Sequence, residues 1–361
     1  MSDYIIVGAG LTGMLAAREL ALAGTSVTLI ERGDVGRESS WAGGGIVSPL
    51  FPWRYPLAVS QLARWSQRKY PELAHSLFET SGIDPELTTN GLLLLDAEDT
   101  AKALPWAAEF EVNCENVAAA QVAAIEPRLA GAHCGAWMPD VGQVRNPRLL
   151  QSLRACLEVL GVDIRPQTEV AELLRSDGRA IGVKTQAGEH MLADTVVVAC
   201  GSWTPLLLGT MASVVSIEPV RGQILLYKTP PGWLSRIVLT DDCYLIPRRD
   251  GHVLVGSTME YVGYDKSTTQ AALEQLRAKA FALVPGLTEF PMVKHWAGLR
   301  PGSPKGVPYI GEHPELKNLF ISAGHFRNGV VMAPASAQLL ADLLLQREPV
   351  IDPAPFVREH L

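Results

Sequence analysis

The chain has 361 residues, 47% hydrophobic and 19% charged, with 31 basic against 38 acidic side chains and a net charge of −7. Such a length supports one large composite domain or two ordinary ones around a sizeable core, and the composition excludes a disordered chain. The acidic balance argues against nucleic acid as a partner, and no apolar run reaches the roughly 18 residues that a membrane span requires. The N-terminus "MSDYIIVGAG" enters a strand almost at once, without the basic region or cleavage site of a signal peptide. Cys114, Cys134, Cys156, Cys200 and Cys243 are odd in number and form no CxxC pair. They suit reduced thiols in a cytoplasmic protein, not a disulfide framework or a metal centre.

In chain order, residues 4–8 read as a buried strand, 11–23 as a helix and "TSVTLIE" (25–31) as a second strand, a βαβ opening. Between the first two lies "VGAGLTG", which sets Gly8, Gly10 and Gly13 in G-x-G-x-x-G spacing. The first glycine permits a tight turn, the second lets backbone approach a pyrophosphate, and the third lets helix pack on strand. The helix then presents free N–H groups and a partial positive charge to the phosphates. Glu31 closes the second strand, where a carboxylate accepts hydrogen bonds from a ribose diol. Strand, helix, strand and terminal acid together predict a dinucleotide site.

A small-residue segment follows, "SSWAGGGIVSP" (39–49), and then an amphipathic helix over about 57–79. Only glycine and alanine let backbone pass close to a flat ring, so the segment favours FAD over NAD. From about 81 to 140 the pattern is irregular, with a strand "GLLLLD" (91–96) and short helices. Residues 146–174 read as helix, strand, strand, and "DTVVVACGSW" (194–203) as a buried strand ending on Gly201 beside the dinucleotide. The strands "PVRGQILLYK", "CYLIPRR" and "HVLVGST" come next, then a helix near 268–283 and the strand "VKHWAGLRP" (293–301). The strand "LFISAG" (319–324) and a final apolar helix close the chain. Dinucleotide-type elements thus stand at the start, middle and end, with antiparallel strands between them. The expected fold is α/β with an α+β substrate part: a Rossmann-like FAD-binding domain (1–80, 141–217, 301–361) interleaved with a mixed, largely antiparallel-sheet substrate domain (81–140, 218–300).

Three further segments, "DDCYLIPRRDGHVLVGSTM" (241–259), "HWAGLRPGSPKGVPYIGEHPE" (295–315) and "AGHFRNGVVMAPAS" (323–336), carry a resemblance that spans the chain. With the two dinucleotide segments, the sequence resembles the D-amino-acid-oxidase superfamily, and within it the bacterial glycine oxidases of thiamine biosynthesis. The resemblance implies non-covalent FAD, a small amino-acid substrate and O2 as the oxidant, with hydrogen peroxide released. Related sarcosine oxidases tether FAD through a cysteine near the segment equivalent to 300–310, and this chain has none after Cys243. A D-amino-acid or secondary-amine dehydrogenase with a different electron acceptor is the competing implication. Thiazole-forming proteins as partners and a homo-oligomer, tetramer or dimer, follow from the family alone.

The resemblance also assigns roles. Arg300 in "AGLRPG" becomes the clamp for the substrate carboxylate, Tyr244 a hydroxyl donor to the same group, and Arg327 a second substrate-site arginine; a guanidinium offers two oxygens a bidentate fork. Leu11 and Thr12 fall at the phosphates, Glu31 and Arg32 at the ribose with Ser39 and Ser40 nearby, and Val170 at the adenine. Gly44, Gly45 and Ile46 line one side of the flavin; His325, Phe326, Arg327, Asn328, Gly329, Val330 and Val331 surround the other. His325 is expected to be structural or flavin-facing and not a base, because hydride transfer from a carbon beside a neutral amine needs none. Asn328 is expected to cap the last helix. The aromatic stretch "PLFPWRYPL" (49–57) departs from the family pattern and is expected to border the substrate mouth.

Overall fold

The N-terminal strand Ser2–Val7 lies in the middle of its sheet, and that placement organises half the protein. It pairs in parallel with Val27–Ile30 on one side and His190–Val198 on the other. Asp163–Arg165 and Leu319–Ala323 extend the parallel run outward, and Tyr309–Glu312 adds an antiparallel edge. The antiparallel hairpin Val170–Ser176 and Arg179–Thr185 continues from the first half of His190–Val198. Every residue of Val27–Ile30 is buried, as expected of a parallel strand covered on both faces. This computed structural model describes residues 2–357.

The second eight-stranded sheet runs Met292–Gly302, Glu218–Lys228, His252–Gly256, Tyr244–Pro247, Ile237–Leu239, Leu92–Leu94, Gly135–Met138 and Glu115–Val117. All its neighbours are antiparallel except Ile237–Leu239 with Leu92–Leu94. The expected α/β class with a mixed, largely antiparallel second sheet is therefore what forms. Residues 81–140 hold more helix than their pattern suggested, with Ala97–Glu109 and Ala119–Ile125. Asp96 caps the first of these by accepting from the Asp99 N–H.

The expected strand 194–203 ends early, at Val198. Gly8, at φ +108°, stands so close to the chain leaving this strand that a Cβ would collide with the Ala199 carbonyl. Ala199 N–H still donates to Val7 O, 2.8 Å, but the chain then turns away through Cys200 into a short 3-10 turn, Gly201–Trp203. The parallel strands end together here, and the crevice beyond them is where dinucleotides bind in such sheets.

Two long helices complete the frame. Leu57–Ser81 packs against the final helix Gly329–Leu344, which contains Pro334. A proline has no N–H, so the Val330 carbonyl four residues earlier loses its helical donor. Tyr70, buried in the facing helix, supplies the missing bond: its hydroxyl donates to Val330 O at 2.6 Å. Ser66, one turn away, accepts from the Ala335 N–H at 2.9 Å. Two polar side chains of one helix thus repair the break in the other. Among the described residues no helix is long and apolar enough to cross a membrane.

Tyr70→Phe should strand the Val330 carbonyl in the interface at a cost of about 1–2 kcal/mol. The expected outcome is a melting temperature lower by roughly 2–5 °C in thermal unfolding, whereas an unchanged value would show that the proline break needs no such repair.

Candidate active site

The crevice beyond the parallel strands opens into a cleft of about 430 Å³ that reaches across to the second sheet. Gly8, Gly10, Leu11 and Thr12 form its floor at the N-terminus of Leu11–Leu22, which has no side-chain cap. Leu11 N–H donates to Ser40 Oγ, 2.9 Å, so the segment 39–46 is stitched to the glycine turn. Gly13, counted with the cofactor residues as part of the glycine turn, keeps only the packing role expected of the third glycine. It does not line the cleft, because it faces the Gly8 carbonyl, with which a Cβ would collide. Its part is helix-to-strand packing.

Glu31 stands at the end of its strand with Oε2 accepting from Ala9 N–H and Oε1 from Gly33 N–H, both at 3.0 Å. Each oxygen keeps further acceptor capacity. Arg32 lines the same end, its guanidinium 4.0 Å from the Trp203 ring centroid and bonded to Glu38. Ser39, Val170 and Gly201 also line this half of the cleft, and Gly44, Gly45 and Ile46 line the deeper half.

Opposite lie His325, Phe326, Arg327, Asn328, Gly329, Val330 and Val331. Asn328 does not cap the final helix with its side chain, contrary to expectation. The chain enters that helix through the 3-10 turn Phe326–Asn328, and Asn328 Oδ1 instead accepts from the Leu50 N–H at 3.1 Å. Its Nδ2 is buried without a partner, as is Ser322 Oγ on the same wall. His325 is buried, and its Nε2 is 3.0 Å from Ser336 Oγ, which itself bonds Met332 O. Burial brings its imidazole down to about 4, so it is neutral in ordinary buffers.

At the far end of the cleft stand Tyr244, Arg300 and Arg327, and both Tyr244 and Arg327 act on the charge of Arg300. Arg300 Nη1 donates to Thr258 O, 3.0 Å, and Nη2 to Ser257 Oγ, 2.6 Å. Desolvation draws the Arg300 guanidinium below its ordinary value, Tyr244 opposes that fall and Arg327 adds to it. Neither Arg300 nor Arg327 forms an ion pair among the described residues, although Arg54, Arg145 and Arg221 each bind two carboxylates. A second cavity of about 540 Å³ shares Tyr244, Ser257, Arg300 and Arg327 as a common wall. The aromatic stretch 49–57 reaches both spaces: Leu50 lines the cleft and Arg54 the second cavity. Trp53 and Arg54 tie the stretch down by donating to the buried Asp99.

Sequence reading missed Arg248. This buried side chain donates to Gly44 O and Val144 O, both at 2.8 Å, and also to Gln143, so it braces the deep small-residue segment from behind. Its one signal was its place as the first of two arginines in "CYLIPRR" at the end of an apolar strand.

A glycine turn under a helix N-terminus, a carboxylate at the end of the second strand and a long cleft that runs on to two arginines suit a dinucleotide-dependent oxidoreductase. The match to the DAO family, described as FAD dependent oxidoreductase, covers residues 3–343, and the chain belongs to that family. It is 51% identical to the glycine oxidase of Pseudomonas aeruginosa (98% of this chain, 97% of that one) and 48% identical to that of Pseudomonas putida (99% and 98%). The crystal structure of glycine oxidase from Geobacillus kaustophilus superposes with a TM-score of 0.90, at 30% identity over 99% of this chain and 98% of that one.

The residues present fit FAD. The buried, unpartnered Asn328 Nδ2 and Ser322 Oγ on the deep wall are what the polar rim of a flavin would satisfy. Cys200, the one cysteine lining the cleft among the described residues, is occupied with Val7 O and pushed up to about 12 by burial, which suits a non-covalent cofactor.

His325 generates a pH dependence of stability. Its folded value of about 4 lies below the ordinary 6.5, so the unfolded chain binds the extra proton between these limits. Stability should be constant above about pH 6.5 and fall by roughly 3 kcal/mol toward pH 4. Denaturant titrations across that window should show the slope in the parent and its loss in His325→Gln; an equal slope in both would clear His325.

Proposed function

We propose that the protein oxidises glycine to the imine, which hydrolyses to glyoxylate and ammonia, and that sarcosine and small D-amino acids share the site. Glycine, O2 and water then give glyoxylate, ammonia and hydrogen peroxide. The observation that carries this reading is the pair of guanidiniums, Arg300 and Arg327, that end the cleft and form no ion pair among the described residues. Bound FAD would supply the redox chemistry, as acceptor of the substrate's hydride and donor of the electrons to O2.

The chain's own residues do the rest. Arg300 takes the substrate carboxylate on the N–H donors that Thr258 and Ser257 leave open. Tyr244 donates its hydroxyl to the same carboxylate, and Arg327 adds a second positive charge. Glu31 holds the ribose, Leu11 and Thr12 the phosphates, and Val170 borders the adenine. Gly44 to Ile46 and residues 325–331 enclose the flavin. Ile46, Leu50 and Ile224 keep the reactive end apolar around these few polar groups. No side chain here is required to remove the C–H proton, and His325, neutral and engaged with Ser336, is structural.

The imine is also the form that thiamine thiazole synthesis consumes, which gives the reaction a place. The two sheets divide the work, with residues 1–80, 141–217 and 301–361 holding the cofactor and 81–140 and 218–300 the substrate. A cytoplasmic homo-oligomer fits the five free thiols and the exposed Tyr261, Met292 and Val293.

Peroxide release from purified holoenzyme tests the reading. Glycine should be turned over, and absence of peroxide or flavin reduction with glycine, sarcosine and D-alanine alike would overturn it. Arg300→Ala should raise the glycine KM on the order of a hundred-fold, as expected for a lost charge-assisted bidentate pair.

A further inference from the structure

Arg300 is held from behind by a segment that itself needs holding. Residues 257–260 follow the strand His252–Gly256 and lie outside any strand, yet both donors that anchor Arg300 end on them. Thr258 Oγ1 donates to Glu260 Oε1 and accepts from the Gln223 N–H at 2.9 Å. Gln223 Nε2 donates to the same Glu260 oxygen at 2.8 Å. Arg221 grips the other oxygen with Nη2 at 2.6 Å and Nε at 3.2 Å, and its Nη1 reaches Asp265 and Ser267. The backbones of Arg221 and Glu260 exchange two further bonds, at 2.9 and 3.0 Å.

The placement on the strand explains the geometry. Arg221 and Gln223, 4% and 0% exposed, flank Gly222. Successive side chains alternate across a strand, so the polar pair faces one way and Gly222 the other. On the Gly222 side the Arg300 guanidinium fills the space a Cβ would take. The segment 257–260 passes from one side to the other and joins the two sets of contacts. A buried arginine and its carboxylate are costly unless fully bonded. Here Glu260, on the segment that anchors Arg300, takes bonds from Arg221, Gln223 and Thr258 together, while Arg221 Nη1 holds Asp265 and Ser267 beyond it.

We propose that Glu260, gripped by Arg221, is a positioning residue for the substrate clamp: it fixes Thr258, whose carbonyl takes one Arg300 donor and so aims the remaining donors at the substrate carboxylate. The inference rests on the reading of Arg300 as that clamp. Glu260 touches no substrate; it acts through Thr258 and Arg300.

Holoenzyme is titrated with acetate, a carboxylate without an amine, with binding read from flavin absorbance, and glycine kinetics are run beside it. Thr258→Val removes the hydroxyl that meets Glu260 and keeps the side-chain volume. It should raise both the acetate Kd and the glycine KM about ten-fold, with kcat within about two-fold. Thr258→Ser should restore both, at unchanged FAD content. In an Arg300→Met background Thr258→Val should add no further loss, because a residue that acts only through Arg300 is non-additive with it.

Unchanged acetate binding in Thr258→Val overturns the inference and leaves the clamp standing. An equal loss in both backgrounds also overturns it, since the damage would then be general. Unchanged binding in Arg300→Met removes the clamp itself. Should Thr258→Val fail to hold FAD, Glu260→Gln is judged by the same two readouts.

Discussion

A guanidinium laid against a glycine is the contact on which the reactive end of the cleft depends. Gly222 leaves no room for one more carbon beside Arg300, and Gly256 leaves none beside Tyr244, where a Cβ would stand 2.7 Å from the hydroxyl. Both residues of the proposed clamp therefore rest on bare backbone. That backbone is rigid, because Glu218–Lys228 pairs along its length with Met292–Gly302 on one side and, from Ile224 onward, with His252–Gly256 on the other. Arg300 is carried by the first of these partners, and the second leads directly into the segment that takes its donors. A clamp built this way has little freedom to follow a ligand. It selects what fits the fork, as preorganised sites do.

Charge accounting then gives the site its sign. Elsewhere in the protein, three arginines are each neutralised by two carboxylates: Arg221 between Glu260 and Asp265, Arg145 between Glu86 and Asp250, Arg54 between Asp99 and Asp241. Arg248, fully dry, bonds to carbonyls and an amide, and burial draws it down to about 10. Arg300 also bonds to neutral oxygens, of Thr258 and Ser257, but it faces the cleft beside a second arginine, Arg327. Two positive charges facing one space, drawn from different elements and left without carboxylates among the described residues, form a site that an anion completes.

Much of the frame was legible in the sequence because it depends on local rules. The glycine turn, the acid at the end of the second strand and the apolar parallel strands each have a short-range signature, and each formed close to where it was expected. What stayed hidden depends on contacts between distant segments. Nothing near Asn328 shows that its oxygen will be claimed by Leu50, 278 residues away in the chain. Nothing near Pro334 shows that Tyr70 and Ser66 will mend the helix it breaks. Arg221, Gln223 and Glu260 look in sequence like ordinary polar positions on strands and loops. Their convergence behind Arg300 exists only once Glu218–Lys228 lies beside His252–Gly256. Arg248 was masked in the same way, since an arginine at a strand end is most often a solvated one.

The two unpaired arginines also bear on the acid–base side of the reaction. A nearby like charge disfavours an ammonium, so on the proposed reading a glycine whose carboxylate engages Arg300 would have its amine pushed toward the neutral form that hydride loss requires. The carboxylate offsets part of that effect, and the second arginine restores it. His325, the only imidazole lining the cleft among the described residues, is held neutral and bonded to Ser336, so it adds no competing charge. Substrate capture and amine deprotonation thus draw on one electrostatic arrangement. A site with Arg300 alone would bind the carboxylate but lose much of the bias on the amine, which is a physical reason for Arg327 to stand in the same wall.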